Sequence, residues 1–111
     1  MAEFKKQFKK GVLELGILKL LNETDQYGYS IIQEINRRSN DSMELKDGTL
    51  YPIMYRLEDQ KLIESYWQTA SEGRGKPRKY YRITSTGKIR FEKMLTDYLD
   101  ITSGMSNILK G

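Results

Sequence analysis

Arg74, Lys76, Arg78 and Lys79 crowd into six residues, and Arg82 follows close behind. Such a cluster draws phosphates by Coulomb attraction and counterion release. Each phosphate it neutralises on duplex DNA adds about 0.9 to the salt dependence of binding. A charge run is also what a solvated loop looks like, so its meaning depends on its neighbours. Upstream stands DGTLYPIMYRLEDQKLI, Asp47 to Ile63. At about 100° per residue, Leu50, Ile53, Met54 and Leu57 share one side of a helix. The opposite side is centred on Gly48, Pro52, Tyr55 and Asp59, with Tyr51 on one edge and Thr49 and Arg56 on the other. Hydroxyls bond phosphates or base edges, and an arginine forks onto guanine or a phosphate. Thr49, Tyr51, Tyr55 and Arg56, with Lys46 just before them, are the candidate DNA-binding residues of this helix. Arg74, Lys76, Arg78 and Lys79 are those of the basic arm. The bland alternative packs Tyr51 against the arm and pairs Arg56 with Glu58, Asp59 or Asp47.

The missing residue types exclude most other chemistry. The chain has no cysteine and no histidine, which removes thiolate nucleophiles, thiolate metal sites, and the commonest general base and metal ligand. No paired set of carboxylates, lysines or tyrosines takes its place, so no catalytic residue, metal or cofactor is expected. The 111 residues make one domain, 38% hydrophobic and 31% charged, with net charge +4; that balance permits a polyanionic partner. No apolar run approaches the ~18 residues of a membrane span, and MAEFKKQFKKG lacks the apolar heart of a secretory signal. A cytoplasmic protein is the expectation.

The elements that hold these residues follow from apolar spacing. Phe4, Phe8, Val12, Leu15, Leu18 and Leu21 form one helical stripe, and Leu13, Ile17 and Leu20 a second. The first helix is therefore buried in its back half, with Lys5, Lys6, Lys9 and Lys10 on a solvated front half. Asp25 is a candidate N-cap for a second helix from Tyr27 to about Ser39, with Gly28, Ile31, Ile32 and Ile35 inward. A phosphate suits the dipole at that helix's start, beside Tyr27 and Tyr29. Met43 to Leu45 is read as a short edge strand, and Asp47 as the N-cap of the third helix. Leu62 to Thr69 and Arg78 to Thr84 are strands joined by a turn over residues 70–76, with Pro77 where no ladder donor is needed. Tyr66 and Trp67 point oppositely, one to pack and one to be exposed. A long helix runs from about Thr84 to Leu109. Its Phe91, Leu95, Tyr98, Thr102, Met105 and Leu109 alternate steps of four and three, a seam that wants a partner helix.

Together YGYSIIQEI (Tyr27 to Ile35), GTLYPIMYRLEDQKLI (Gly48 to Ile63) and RKYYRITSTG (Arg78 to Gly87) resemble the PadR family of bacterial transcriptional regulators, over nearly the whole chain. The single C-terminal helix resembles the compact subfamily that includes multidrug-sensing repressors. The resulting fold class is mainly α with a small β-hairpin wing (α+β): a winged helix-turn-helix over residues 1–84, and a C-terminal dimerisation helix over 85–111 that packs with the N-terminal helix (4–21). The resemblance implies a homodimer joined through its first and last helices, which makes Phe8, Val12, Phe91, Leu95, Tyr98 and Met105 candidate interface residues. It implies a third helix in the major groove of an inverted-repeat, double-stranded DNA operator, a wing on the flanking backbone, and repression of neighbouring genes. Tyr98 falls where flat-stacking drug sensors carry tryptophan, at a central pore, and is the candidate contact for a small aromatic or cationic effector. Gln60-Lys61 stands where the family's turn commonly has glycine, which implies a less tight turn. The alternative is a winged-helix protein-interaction module that does not bind DNA, for which a less basic and more apolar wing is expected.

Overall fold

Apolar side chains fill the back half of the first helix, α1 (Ala2–Glu23), in the computed structural model, which describes residues 2–69 and 75–111. Leu13, Ile17, Leu18, Leu20 and Leu21 are all buried, as the doubled stripe requires. After α1 come β1 (Gln26–Tyr27), α2 (Gly28–Arg38), α3 (Asp47–Asp59), β2 (Ile63–Gln68), β3 (Arg78–Ile83) and α4 (Ser85–Lys110). The protein is mostly helical, with one three-stranded antiparallel sheet in the order β1-β3-β2. Ile31 and Ile35 of α2, Leu50, Ile53, Met54 and Leu57 of α3, and Ile63 and Tyr81 of the sheet close the core over α1.

Several local expectations are corrected. Asp25 caps nothing; it accepts a 2.6 Å hydrogen bond from the Tyr66 hydroxyl, and Tyr27 holds the N-cap place of α2 without a side-chain bond. The residues just before α2 instead form β1, with Gln26 opposite Tyr81 and Tyr27 opposite Tyr80. Two residues are too few to show a period of two, so spacing alone does not announce them. Met43 to Leu45 is not a strand. Glu44 has φ +46°, which breaks the extended run. The Asn36 side chain takes the place of a neighbouring strand: its amide donates to the Leu45 carbonyl at 3.0 Å, and its oxygen accepts from the Leu45 N–H at 2.8 Å.

Asp47 is the first residue of α3 rather than its cap. Lys46 takes that place, its carbonyl accepting from Thr49 and Leu50 at 3.0 and 2.9 Å. At the other end the turn is tight, contrary to expectation. The Leu62 N–H bonds the Leu57 carbonyl at 3.0 Å and the Lys61 N–H bonds Glu58 at 2.9 Å, the paired closure of a Schellman motif. Lys61 supplies the left-handed residue with φ +61°.

Thr84 joins this turn to α4. Its hydroxyl accepts from the Gly87 N–H at 2.9 Å and lies 2.7 and 3.1 Å from the carbonyls of Lys61 and Leu62. Gly87 is required here because a Cβ would overlap the Leu62 carbonyl and the Ile83 side chain. Phe91 is buried and Met94 and Leu95 are partly buried, but beyond them α4 runs clear of the core. The molecule is accordingly 59 Å long, with a radius of gyration of 15.7 Å, against about 13 Å for a compact chain of this length.

Candidate nucleic-acid interface

The two helices of the helix-turn-helix meet closely because α2 starts on a glycine. A Cβ on Gly28 would overlap the Tyr51 ring and hydroxyl, so Tyr51 of α3 lies against the first turn of α2. Burial, with smaller contributions from Asp47 and Tyr55, raises the Tyr51 pKa above its ordinary value. Tyr51 thus stays a neutral hydroxyl, able to donate or accept. Tyr55, one turn on, is 57% exposed.

The wing approaches the same place. A cleft of about 250 Å³ is lined by Tyr27, Gly28 and Tyr29 from the start of α2, Tyr51 and Tyr55 from α3, and Arg78, Lys79 and Tyr81 from β3. Tyrosine hydroxyls and Lys79 thereby meet beside a helix N-terminus, with Arg78 held over Tyr27 at the rim, an arrangement suited to a phosphate-bearing backbone. The outer face of the sheet stiffens the wing. The Arg82 guanidinium lies 4.5 Å over Tyr66 and that of Arg78 lies 4.7 Å over Tyr27. Tyr80 sits between, with ring centroids 5.8 Å from Tyr66 and 5.5 Å from Tyr27. Each such cation–π contact adds about 0.5–1 kcal/mol at an exposed site.

The nine expected contact residues are not gathered into one patch. Tyr51, Tyr55, Arg78 and Lys79 share the cleft just described. Thr49 and Arg56 turn to the other side of α3, where they line a second cleft of about 530 Å³ with Lys6, Lys9 and Lys10 of α1. Arg56 is already engaged: its Nε and a terminal nitrogen donate to one Glu14 oxygen at 3.0 and 2.7 Å. Glu58, Asp59 and Asp47, the acids anticipated beside it, are not its partners. Lys46 and Lys76 are exposed at the start of α3 and just before β3, and Arg74 lies outside the described residues. Sequence reading passed over Glu14, Lys6 and Lys10 as contributors. Lys6 and Lys10, four apart and so on one helix face, were the available signal.

The terminal helices enclose a third hollow. Phe8 and Val12 of α1 and Phe91, Leu95 and Tyr98 of α4 line a groove of about 810 Å³. Phe91 is only 5% exposed and belongs mainly to its own core, whereas Phe8 is open and Tyr98 is 38% exposed. Met105, two turns farther along, is 47% exposed among open Ile101, Ile108 and Leu109. Among the described residues no helix is long and apolar enough to cross a membrane.

Comparison with known proteins agrees with this geometry. A sequence profile of the transcriptional regulator PadR-like family matches residues 17–93. An uncharacterised protein of Lysinibacillus sphaericus is 41% identical over 102 residues, 92% of each chain. A transcriptional regulator of Mycobacterium tuberculosis is 29% identical over 83 residues, 75% of this chain and 72% of its own. The crystal structure of a PadR-like transcriptional regulator from Bacillus cereus superposes with a TM-score of 0.83 at 31% identity, covering 95% of this chain and 98% of that one.

Proposed function

The chain belongs to the PadR-like family of transcriptional regulators, and on that premise we propose that it acts as a homodimeric repressor of neighbouring genes on an inverted-repeat operator. The observation that carries this reading is the cleft where Tyr51 and Tyr55 of α3 meet Arg78 and Lys79 of the wing at the start of α2. Residues 1–84 are the reading head. Residues 85–111 pair with α1 of a second copy through Phe8, Val12, Leu95, Tyr98 and Met105, and two reading helices then sit about one duplex turn apart, roughly 34–36 Å. Cytoplasmic residence goes with a DNA partner. A protein-only interaction module is disfavoured by the basic wing, which offers charge where such a partner wants apolar surface.

Footprinting on the promoter of the protein's own gene tests the assignment. Tyr55→Ala or Arg56→Ala is expected to weaken specific binding by about 1–3 kcal/mol per lost base contact. Lys76→Ala with Arg78→Ala is expected to weaken all duplexes alike and lower the salt slope by about 0.9 per lost phosphate. Parent-like footprints from Tyr55→Ala and Arg56→Ala would remove α3 as the reading face.

A ligand-released version of the same regulator has its own support in the apolar groove beside Tyr98. A small aromatic or cationic effector seated there acts only through unequal affinity for the two arrangements of the heads. Thermal-shift screening of such compounds checks it, with stabilisation expected for a true effector and its loss in Tyr98→Ala.

A further inference from the structure

Trp67 is the chain's single tryptophan and the most conspicuous apolar group on the wing, 69% exposed near the end of β2. Its direction is fixed by its neighbours. Residues alternate across a strand, so Ile63, Ser65 and Trp67 share a face. Ile63 is buried in the core, and the Ser65 hydroxyl donates to Glu58 of α3 at 2.9 Å. Directly opposite Trp67 stands Lys79, which lines the cleft with Tyr55 of α3. Directly opposed residues of an antiparallel pair lie on one face. Trp67 therefore projects on the α3 side, beyond the core, beside a cation of the candidate interface. Glu64, by contrast, pairs with Arg82 on the outer face at 3.2 Å.

We propose that Trp67 is a DNA-contact residue that makes a non-ionic contact, its indole packing on the deoxyribose edge of the duplex next to the stretch read by α3. The pairing of an apolar ring with a flanking lysine matches that edge, where apolar sugars alternate with anionic phosphates. The inference rests on the DNA-binding reading above and adds to it a contact that salt does not weaken.

Two readouts on the whole protein test it. Tryptophan emission, excited where tyrosine does not absorb, is expected to change on titration with a duplex of the protein's own promoter. Its midpoint should match that from anisotropy of the labelled duplex. Trp67→Ala and the strand-compatible Trp67→Thr are expected to weaken binding roughly tenfold, as partial burial of a large aromatic implies, with the salt slope of the parent retained. Lys79→Ala is expected to lower that slope. Binding of the duplex with unchanged emission, together with parent-like affinity of both Trp67 variants, would overturn this contact and leave the DNA-binding reading standing. No binding of any duplex by the parent protein would overturn both.

Discussion

Tyr81 sits 2% exposed where the sheet meets the core, and burial, aided by the nearby Glu58 carboxylate, pushes its pKa up to about 12. The folded protein therefore keeps this proton after the unfolded chain has lost it. Unfolding releases a proton in that window, so stability is expected to fall as pH rises from about 10 towards 12. Tyr81→Phe should flatten the fall in denaturant titrations at stepped alkaline pH. At the acid end, Arg38 and Lys19 hold Glu23 down to about 2, and Arg37 and Arg38 do the same for Glu34. Stability linked to these carboxylates is complete above their ordinary range and is lost as pH falls from about 4.5 to about 2. Both lie at the surface among their arginine and lysine partners, so solvent screening keeps the effect small, and Arg38→Ala should reduce it. Glu14 raises a different matter, because it already occupies Arg56. Glu14→Gln is expected to tighten duplex binding two- to fivefold, the range of an exposed ion pair worth about 0.5–1 kcal/mol, and to do nothing in an Arg56→Ala background. That pairing was not legible in the sequence, because Glu14 and Arg56 stand 42 positions apart and no local pattern connects them.

Lys61 occupies the left-handed place that closes α3, with φ +61°. Relief of this strain by Lys61→Gly is worth about 1–2 kcal/mol, and the extra freedom of an unfolded glycine offsets about 0.5–1 of it. A net gain of roughly 0.5–1 kcal/mol in denaturant unfolding is expected, with α3 otherwise unchanged. The turn is held despite the lysine because Leu57 and Leu62, the residues it brings together, are each 1% exposed. Elements with several turns of periodic apolar residues were readable: the buried stripe of α3 is Leu50, Ile53, Met54 and Leu57, as spacing alone required. What escaped was decided by a few specific contacts between separate elements. Asp25 answers to Tyr66, Leu45 to Asn36, and β1 to β3, and in each case the partner is chosen by tertiary packing that local propensity does not encode. The candidate contact residues fared likewise. Their types and positions along α3 and β3 were legible, but their division between two clefts depends on where α1 lies.

Across the whole molecule, the uncovered seam of α4 is the largest demand left unmet by one chain. Tyr98, Leu99, Ile101, Met105, Ile108 and Leu109 are all exposed in the single chain, a run of apolar surface that a soluble monomer rarely keeps. Met105→Glu changes a residue that is 47% exposed, so it should leave the fold of the subunit intact while burying a charge in any helix-to-helix seam. Halving of the mass in sedimentation is the expected result, with affinity for an inverted repeat falling by about 100-fold or more once the two heads are no longer linked. An unchanged mass would remove this seam from the proposed dimer contact. The same architecture carries a mechanical corollary. Each α4 of 26 residues is a rod about 39 Å long, clamped at its start where Thr84 grips the carbonyls behind α3 and Phe91 is buried in the core. In the homodimer proposed above, such rods would cross in pairs as the handles of a calliper, and an effector wedged between them would widen or narrow the jaws.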